Sequence, residues 1–171
     1  MPNWTENDLT ITGNEEDLKK LKEFVTTKKE TLLDFEKIIP FPQKVYDDEK
    51  EIRKMEELKG NEKKNAEIIQ ALKEKTEFNS HDWCISNWGT KWNSCRAEII
   101  KEDKNHLVYT FETAWSPPLP VIVKLSSLFP TLKFLLEYYE RGNGFCGKLE
   151  IDKVKIIQDV YSDKYRGNRG G

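Results

Sequence analysis

Two runs of alternating apolar and polar residues, Cys95–Glu102 and His106–Trp115, are separated by only Asp103-Lys-Asn105. Alternation with period two marks half-buried strands, and so short a gap leaves room only for an antiparallel hairpin. This hairpin anchors the reading of everything around it. Upstream, Leu9-Thr-Ile-Thr-Gly13 alternates and stops at glycine, which predicts a first strand. Asn14 is placed to cap a helix, and Leu18, Leu21, Phe24 and Val25 recur at three- and four-residue steps through Glu15 to Lys28. Downstream, Ser116 is a candidate N-cap with Pro117 at the first helical position, followed by an apolar stripe of Ile122, Leu125, Leu128 and Phe129 that stops at Pro130. Leu132–Glu140 reads as a strong strand, Arg141-Gly-Asn-Gly144 as a turn, and Phe145–Ile151 with Val154–Val160 as one or two more strands.

Between the first helix and the hairpin the signals are different. Leu33–Pro42 is apolar but ends in two prolines, which predicts an extended segment, a short edge strand at most, and no continuing helix. Residues 47–77 are dense in Glu and Lys with apolar sets Ile52, Met55, Leu58 and Ile68, Ile69, Leu72 around Gly60-Asn61. Two helices with a break and one long helix fit this pattern equally. The order is thus strand, helix, helical insertion, strand, strand, helix, strand. It is the split βαβ, ferredoxin-like arrangement of the α+β class: an antiparallel sheet with helices on one face, and a helical insertion before the second core strand. At 171 residues this is one domain over 1–161. Residues 162–171 hold little apart from Tyr165 to pack and read as a flexible tail.

Composition removes several functional classes. The net charge of −2 supplies no overall field for a phosphate backbone. No apolar run approaches membrane-spanning length, and the start Met1-Pro-Asn-Trp-Thr-Glu has no secretion signal pattern, so no membrane association and a cytoplasmic location are expected. Cys84, Cys95 and Cys146 are odd in number and lack paired spacing, and His81 and His106 have no second ligand at helical spacing. Buried reduced thiols, no metal and no cofactor are expected.

The most unusual segments lie between residues 82 and 147, where four of the five tryptophans fall. Gly142-Asn-Gly-Phe-Cys-Gly147 matches GxGxxG literally, yet no helix opens there, so a hairpin turn with a bulge is the better reading. Three prolines in Ser116-Pro-Pro-Leu-Pro120 remove amide donors an anion would need, and predict a rigid corner that fixes Trp115. Ser86-Asn-Trp-Gly-Thr-Lys-Trp92 reads as an ordered loop, either a plug for one end of the sheet or a ligand site. Neither a cysteine with His81 or His106 nor a pair among Glu112, Glu137 and Glu140 forms a recognisable catalytic order, so binding is expected over catalysis.

Taken together, several landmarks resemble one family. They are Pro2-Asn-Trp4 with Asn7 ahead of Leu9–Gly13; Phe35 with Lys37-Ile-Ile-Pro40 and Pro42; Trp83-Cys-Ile with Asn87–Trp92; Phe111–Pro118; and Glu137–Glu140 with Gly144–Gly147. Across them the chain resembles the YubB ferredoxin-like domain family of plasmids, bacteriophages and prophages. Thr5 stands where that pattern has Cys, so no role for a thiol carries over there. The resemblance implies the ferredoxin-like shape without an iron–sulfur cluster and a mobile-element setting, and it brings no activity.

The functional expectation is a non-catalytic binding protein of phage or plasmid origin, holding a small nucleotide-like ligand in an aromatic pocket as a sponge for a host immune signal. Trp83, Trp88, Trp92, Trp115 and Tyr139 would offer stacking faces, Lys91 and Arg141 phosphate partners, and Asn87, Thr90 and Glu112 contacts to base edges or ribose. The alternatives are single-stranded nucleic-acid binding on the sheet face, and a protein–protein decoy that docks on a host defence protein through residues 47–77. Self-association into a homo-oligomer is compatible with each.

Overall fold

The structure is a computed structural model and describes residues 3–27, 31–44, 46, 47, 50 and 80–171. Most of the helical insertion expected over 47–77 lies outside the described residues. Strand β1 spans Trp4–Thr12, helix α1 Glu15–Val25, α2 Phe35–Ile38, α3 Ser80–Trp88, β2 Cys95–Glu102 and β3 His106–Ala114. Helix α4 spans Leu119–Leu128, β4 Lys133–Glu140, β5 Phe145–Asp152 and β6 Lys155–Ser162. The strands form one six-stranded sheet in the order β2-β3-β1-β4-β5-β6, with every neighbouring pair antiparallel. The first four give the ferredoxin-like order, and the β5–β6 hairpin extends the sheet beyond β4.

One sheet face carries the core. Leu9 and Ile11 of β1, Leu107, Tyr109 and Phe111 of β3, Phe134, Leu136 and Tyr138 of β4, and Leu149 and Ile151 of β5 pack with Leu18, Leu21 and Val25 of α1 and with Ile122 and Leu125 of α4. Each fully buried aliphatic or aromatic side chain contributes roughly 1.5–3 kcal/mol. Helix α1 starts as expected: Asn14 Oδ1 accepts from the Asp17 amide at 2.9 Å, and Glu15, Glu16 and Asp17 fill its first turn.

Four segments differ from expectation. Strand β1 begins at Trp4, five residues before Leu9, because the inward positions Thr5 and Asn7 are polar yet fully buried. The segment read as extended over 33–42 contains the one-turn helix α2, which Asp34 caps through the Glu36 amide at 3.0 Å and which puts Phe35 and Ile38 into the core. The loop expected at 86–92 is helical up to Trp88, since α3 points Cys84 and Trp88, four residues apart, inward. Helix α4 starts at Leu119 and has no side-chain cap; Ser116 lies outside it and donates to the Gly89 carbonyl at 2.5 Å. That bond ties the proline corner to the end of α3. Leu128, placed by sequence on the α4 stripe, is 42% exposed.

The two-residue turn between β5 and β6 is Lys153-Val154, with φ of 49° and 64°. Both values lie in the left-handed region, which suits Asn-Gly and strains a β-branched residue. Replacing the pair by Asn-Gly (Lys153→Asn with Val154→Gly) is expected to stabilise the domain by about 1 kcal/mol, read as a raised urea midpoint at unchanged slope.

Of the segment 162–171, read from sequence as a flexible tail, Ser162 ends β6 and residues 163–171 lie along the open face of the sheet. The Arg169 guanidinium donates to Asp8 Oδ2 and Oδ1 at 2.7 and 2.9 Å and to Glu6 Oε2 at 2.9 Å, and sits 4.3 Å from the centre of the Tyr139 ring. The carboxylate of Asp8 in front of it raises its already high pKa further. The Gly170 amide reaches Glu6 at 2.9 Å, and the Gly171 amide reaches the Trp4 carbonyl at 2.8 Å. Arg169→Ala is expected to free this strap at a stability loss of about 1 kcal/mol, because the pair is half-open to solvent. Loss of hydrogen-exchange protection at the Gly170 and Gly171 amides, with strands β1 and β4 unchanged, is the readout.

Candidate functional site

The ten residues expected to converge on one pocket are divided among three main places, with Tyr139 and Arg141 apart from all three. Trp83 and Trp88 sit beneath the helices, where Trp88 is 1% exposed and donates from Nε1 to the Ile39 carbonyl at 2.9 Å. Its ring lies 5.5 Å from Trp83, 5.0 Å from Phe41 and 5.9 Å from Phe35. Asn87 turns its amide back to the Trp83 carbonyl at 2.9 Å, and the fully buried Thr90 donates to the Ala114 carbonyl at 2.9 Å. These residues hold α3 and the proline corner against the sheet.

A second cluster forms at the end of the open face near β1 and β3. Trp92 meets Trp4 edge-on at 6.3 Å, Lys91 Nζ lies 5.4 Å from the Trp92 ring, and the Arg96 guanidinium lies 5.5 Å from the Trp4 ring. Glu112 takes two bonds from Arg96 Nη1, at 2.9 and 2.7 Å. Tyr139 lies elsewhere on the open face, under Arg169 and 5.6 Å from Tyr165. Arg141 is exposed in the β4–β5 turn.

Trp115 belongs to a third place. Its φ is +70°, rare for a bulky side chain, and it is held by its amide bonding to the Asn3 carbonyl at 2.9 Å. The ring is 45% exposed and walls an open groove of about 490 Å³ with Pro117, Leu119, Pro120, Tyr138, Phe145 and Tyr161. Tyr138, Gly147 and Tyr161 stand side by side on β4, β5 and β6. Because Gly147 has no side chain, the Tyr138 ring lies across β5; a Cβ at Gly147 would collide with the Tyr138 hydroxyl and with the Val160 carbonyl. Phe145 completes the wall, 6.3 Å from Tyr138 and 5.8 Å from Tyr161. Burial, with the nearby Asp159 charge second, pushes the Tyr138 phenol up to about 12, so it stays a neutral donor. Among the described residues no Lys or Arg lines the groove.

Phe145 and Tyr161 were not singled out by sequence reasoning. The available signal was β6 itself: Ile156, Ile157, Val160 and Tyr161 are apolar without alternation, and all four are exposed. The Gly142–Gly144 motif is the β4–β5 turn, with Gly144 at φ +76° and no shift of register between the strands. Of the thiols only Cys84 is buried, and desolvation pushes it up to about 11; Cys95 and Cys146 are partly exposed. A thiol so hard to ionise is a poor nucleophile. Among the described residues no group of His, Cys, Asp and Glu is arranged to hold a metal ion, and no helix is long and apolar enough to cross a membrane.

The sheet order and the helices on one face define a ferredoxin-like α+β domain, without an evident catalytic constellation among the described residues. Residues 87–168 match the family model described as the ferredoxin-like domain in Api92-like protein. The crystal structure of the protein api92 from Yersinia pseudotuberculosis is similar over 98% of this chain and 99% of that one, with a TM-score of 0.62 and 13% identity. Identity that low shows a shared fold and transfers no activity. No curated protein matches the chain.

Proposed function

We propose that the protein is a non-catalytic binding domain that recognises an extended segment of a partner protein by adding it to the sheet at β6. The contrast between the two sheet edges carries this reading. Edge strand β2 has Arg96, Glu98, Lys101 and Glu102 along it and two irregularities in its pairing, both devices that discourage strand addition. Edge strand β6 has one irregularity, opposite Glu150 and Ile151. It leaves Ile156, Ile157, Val160 and Tyr161 between 46% and 63% exposed. A largely apolar edge, with only Lys155 and Asp159 charged, beside a groove is the geometry of strand-addition recognition, in which backbone bonds give affinity and side-chain recesses give selectivity. In the mobile-element setting implied by the YubB resemblance, the partner would be a host protein, with a host defence protein as the natural target of a decoy.

Selection of seven-residue peptides against the wild-type chain, with counter-selection against Val160→Lys, tests this. Selected peptides should slow hydrogen exchange in β6 and lose binding to the variant. Peptides that bind both proteins equally and leave β6 amides unprotected would refute it.

A second reading, capture of a small nucleotide-like ligand, is favoured by one observation: Trp4 and Trp92 lie beside Lys91 and Arg96. Calorimetry against cyclic di- and trinucleotides and ADP-ribose-type signals tests it, and silence that persists at high protein concentration would end it. Single-stranded nucleic acid on the open face has less support, since Glu6, Asp8, Glu112 and Glu137 face outward there and residues 169–171 lie over β1.

A further inference from the structure

We propose that the groove beside β6 selects an arginine side chain from the strand that pairs there, so that the partner segment is an extended peptide with arginine on the face shared with Tyr161. The inference rests on strand addition at β6 and names what that strand must carry.

Three features point to this guest. The groove is walled by the rings of Trp115, Tyr138, Phe145 and Tyr161, and among the described residues no cationic one lines it. Aromatic faces attract cations through the ring quadrupole, and the flat, weakly hydrated guanidinium stacks on them better than an ammonium does. Asp159 lies two residues before Tyr161 on β6, is exposed, and has no ion pair or side-chain hydrogen bond among the described residues, unlike Glu6, Asp8, Glu112 and Glu150 on the same sheet. By strand alternation Asp159 shares the Tyr161 face of β6, just outside the groove lining, and its charge is felt at the Tyr138 hydroxyl.

Reach decides the length of the side chain. A strand added beyond β6 sits about 4.8 Å farther out, while the groove floor is Tyr138 on β4, two strands inward of β6. That span is about 14 Å, more than a side chain crosses, so the guest meets the groove at the Tyr161 ring on β6 and at the Tyr138 hydroxyl, which reaches over Gly147 on β5. Arginine combines long reach with the charge. A phosphate or carboxylate guest would meet Asp159 and find no cation in the lining.

Fluorescent heptapeptides Thr-Val-Thr-Xaa-Thr-Val-Thr, with Arg, Lys, citrulline, Leu or Glu at the centre, test the inference by anisotropy. The Arg peptide should bind about tenfold more tightly than the citrulline peptide, which has the same shape without the charge. Asp159→Asn should weaken the Arg peptide about threefold and leave the citrulline peptide unchanged, and Tyr161→Ala should erase the preference. Circular dichroism checks that both variants fold.

Equal binding of Arg, citrulline and Leu peptides, each still lost in Val160→Lys, would overturn the arginine inference and leave strand addition standing. Failure of every peptide would remove both. A dimer by light scattering that Val160→Lys dissociates, with no peptide bound, would assign the edge to a second copy of the chain and overturn the proposal.

Discussion

Replacing Trp88 by alanine is expected to lower the unfolding free energy by about 3–5 kcal/mol, the largest loss from any single tryptophan in the chain. The side chain is 1% exposed and touches three other aromatic rings, so its removal leaves a cavity that α2 and α3 cannot both collapse into. The Ile39 carbonyl also loses the indole donor at 2.9 Å. This bond is part-buried, so its loss contributes about 1 kcal/mol of the same total. Trp88→Phe keeps much of the volume but not the donor and should lose about half as much. Urea unfolding followed by tryptophan fluorescence and circular dichroism measures both, and a loss under 1 kcal/mol for the alanine variant would show that the ring does not carry the core.

Trp88 also shows how far the sequence could be read. Tryptophans at 83, 88, 92 and 115 are close along the chain, and proximity suggested one pocket. Direction is set by backbone conformation, which spacing alone does not reveal. Helix α3 turns Trp88 inward, the following loop brings Trp92 beside Trp4 on the open face, and the left-handed backbone at Trp115 turns that ring into the groove.

Elements with clean periodicity were legible: the β2–β3 hairpin, β4, β5 and the capped start of α1. Those that broke the pattern were not. The first half of β1 carries Thr5 and Asn7 at inward positions, which a binary pattern reads as loop. Asn7 is accommodated by donating to the Thr5 carbonyl at 2.8 Å within its own strand and to Thr113 Oγ1 at 3.0 Å, a contact that forms only once β3 lies alongside. Strand β6 was visible as a strand, but its lack of alternation, a result of exposure on both sides at the sheet edge, hid that it ends the sheet in an exposed, largely apolar edge.

Gly147→Val sets two physical effects against each other, and the expected winner is steric. Strand propensity alone would have valine stabilise an interior strand by up to about 1 kcal/mol over glycine. At this position the new Cβ collides with the Tyr138 hydroxyl and with the Val160 carbonyl, and the second of these is backbone that cannot rotate away. Overpacking of this kind costs about 1–3 kcal/mol, so the net effect should be destabilising by roughly 2 kcal/mol. The Tyr138 ring must lift from β5, which fills the groove and splays β6, so peptide binding should fall along with stability. Adding Tyr138→Ala removes one of the two collisions; the double variant should therefore be more stable than the sum of the single losses predicts, by about 1 kcal/mol. Strict additivity in urea unfolding, or a more stable Gly147→Val chain, would mean that Tyr138 does not lie across Gly147 and that the groove floor is built differently.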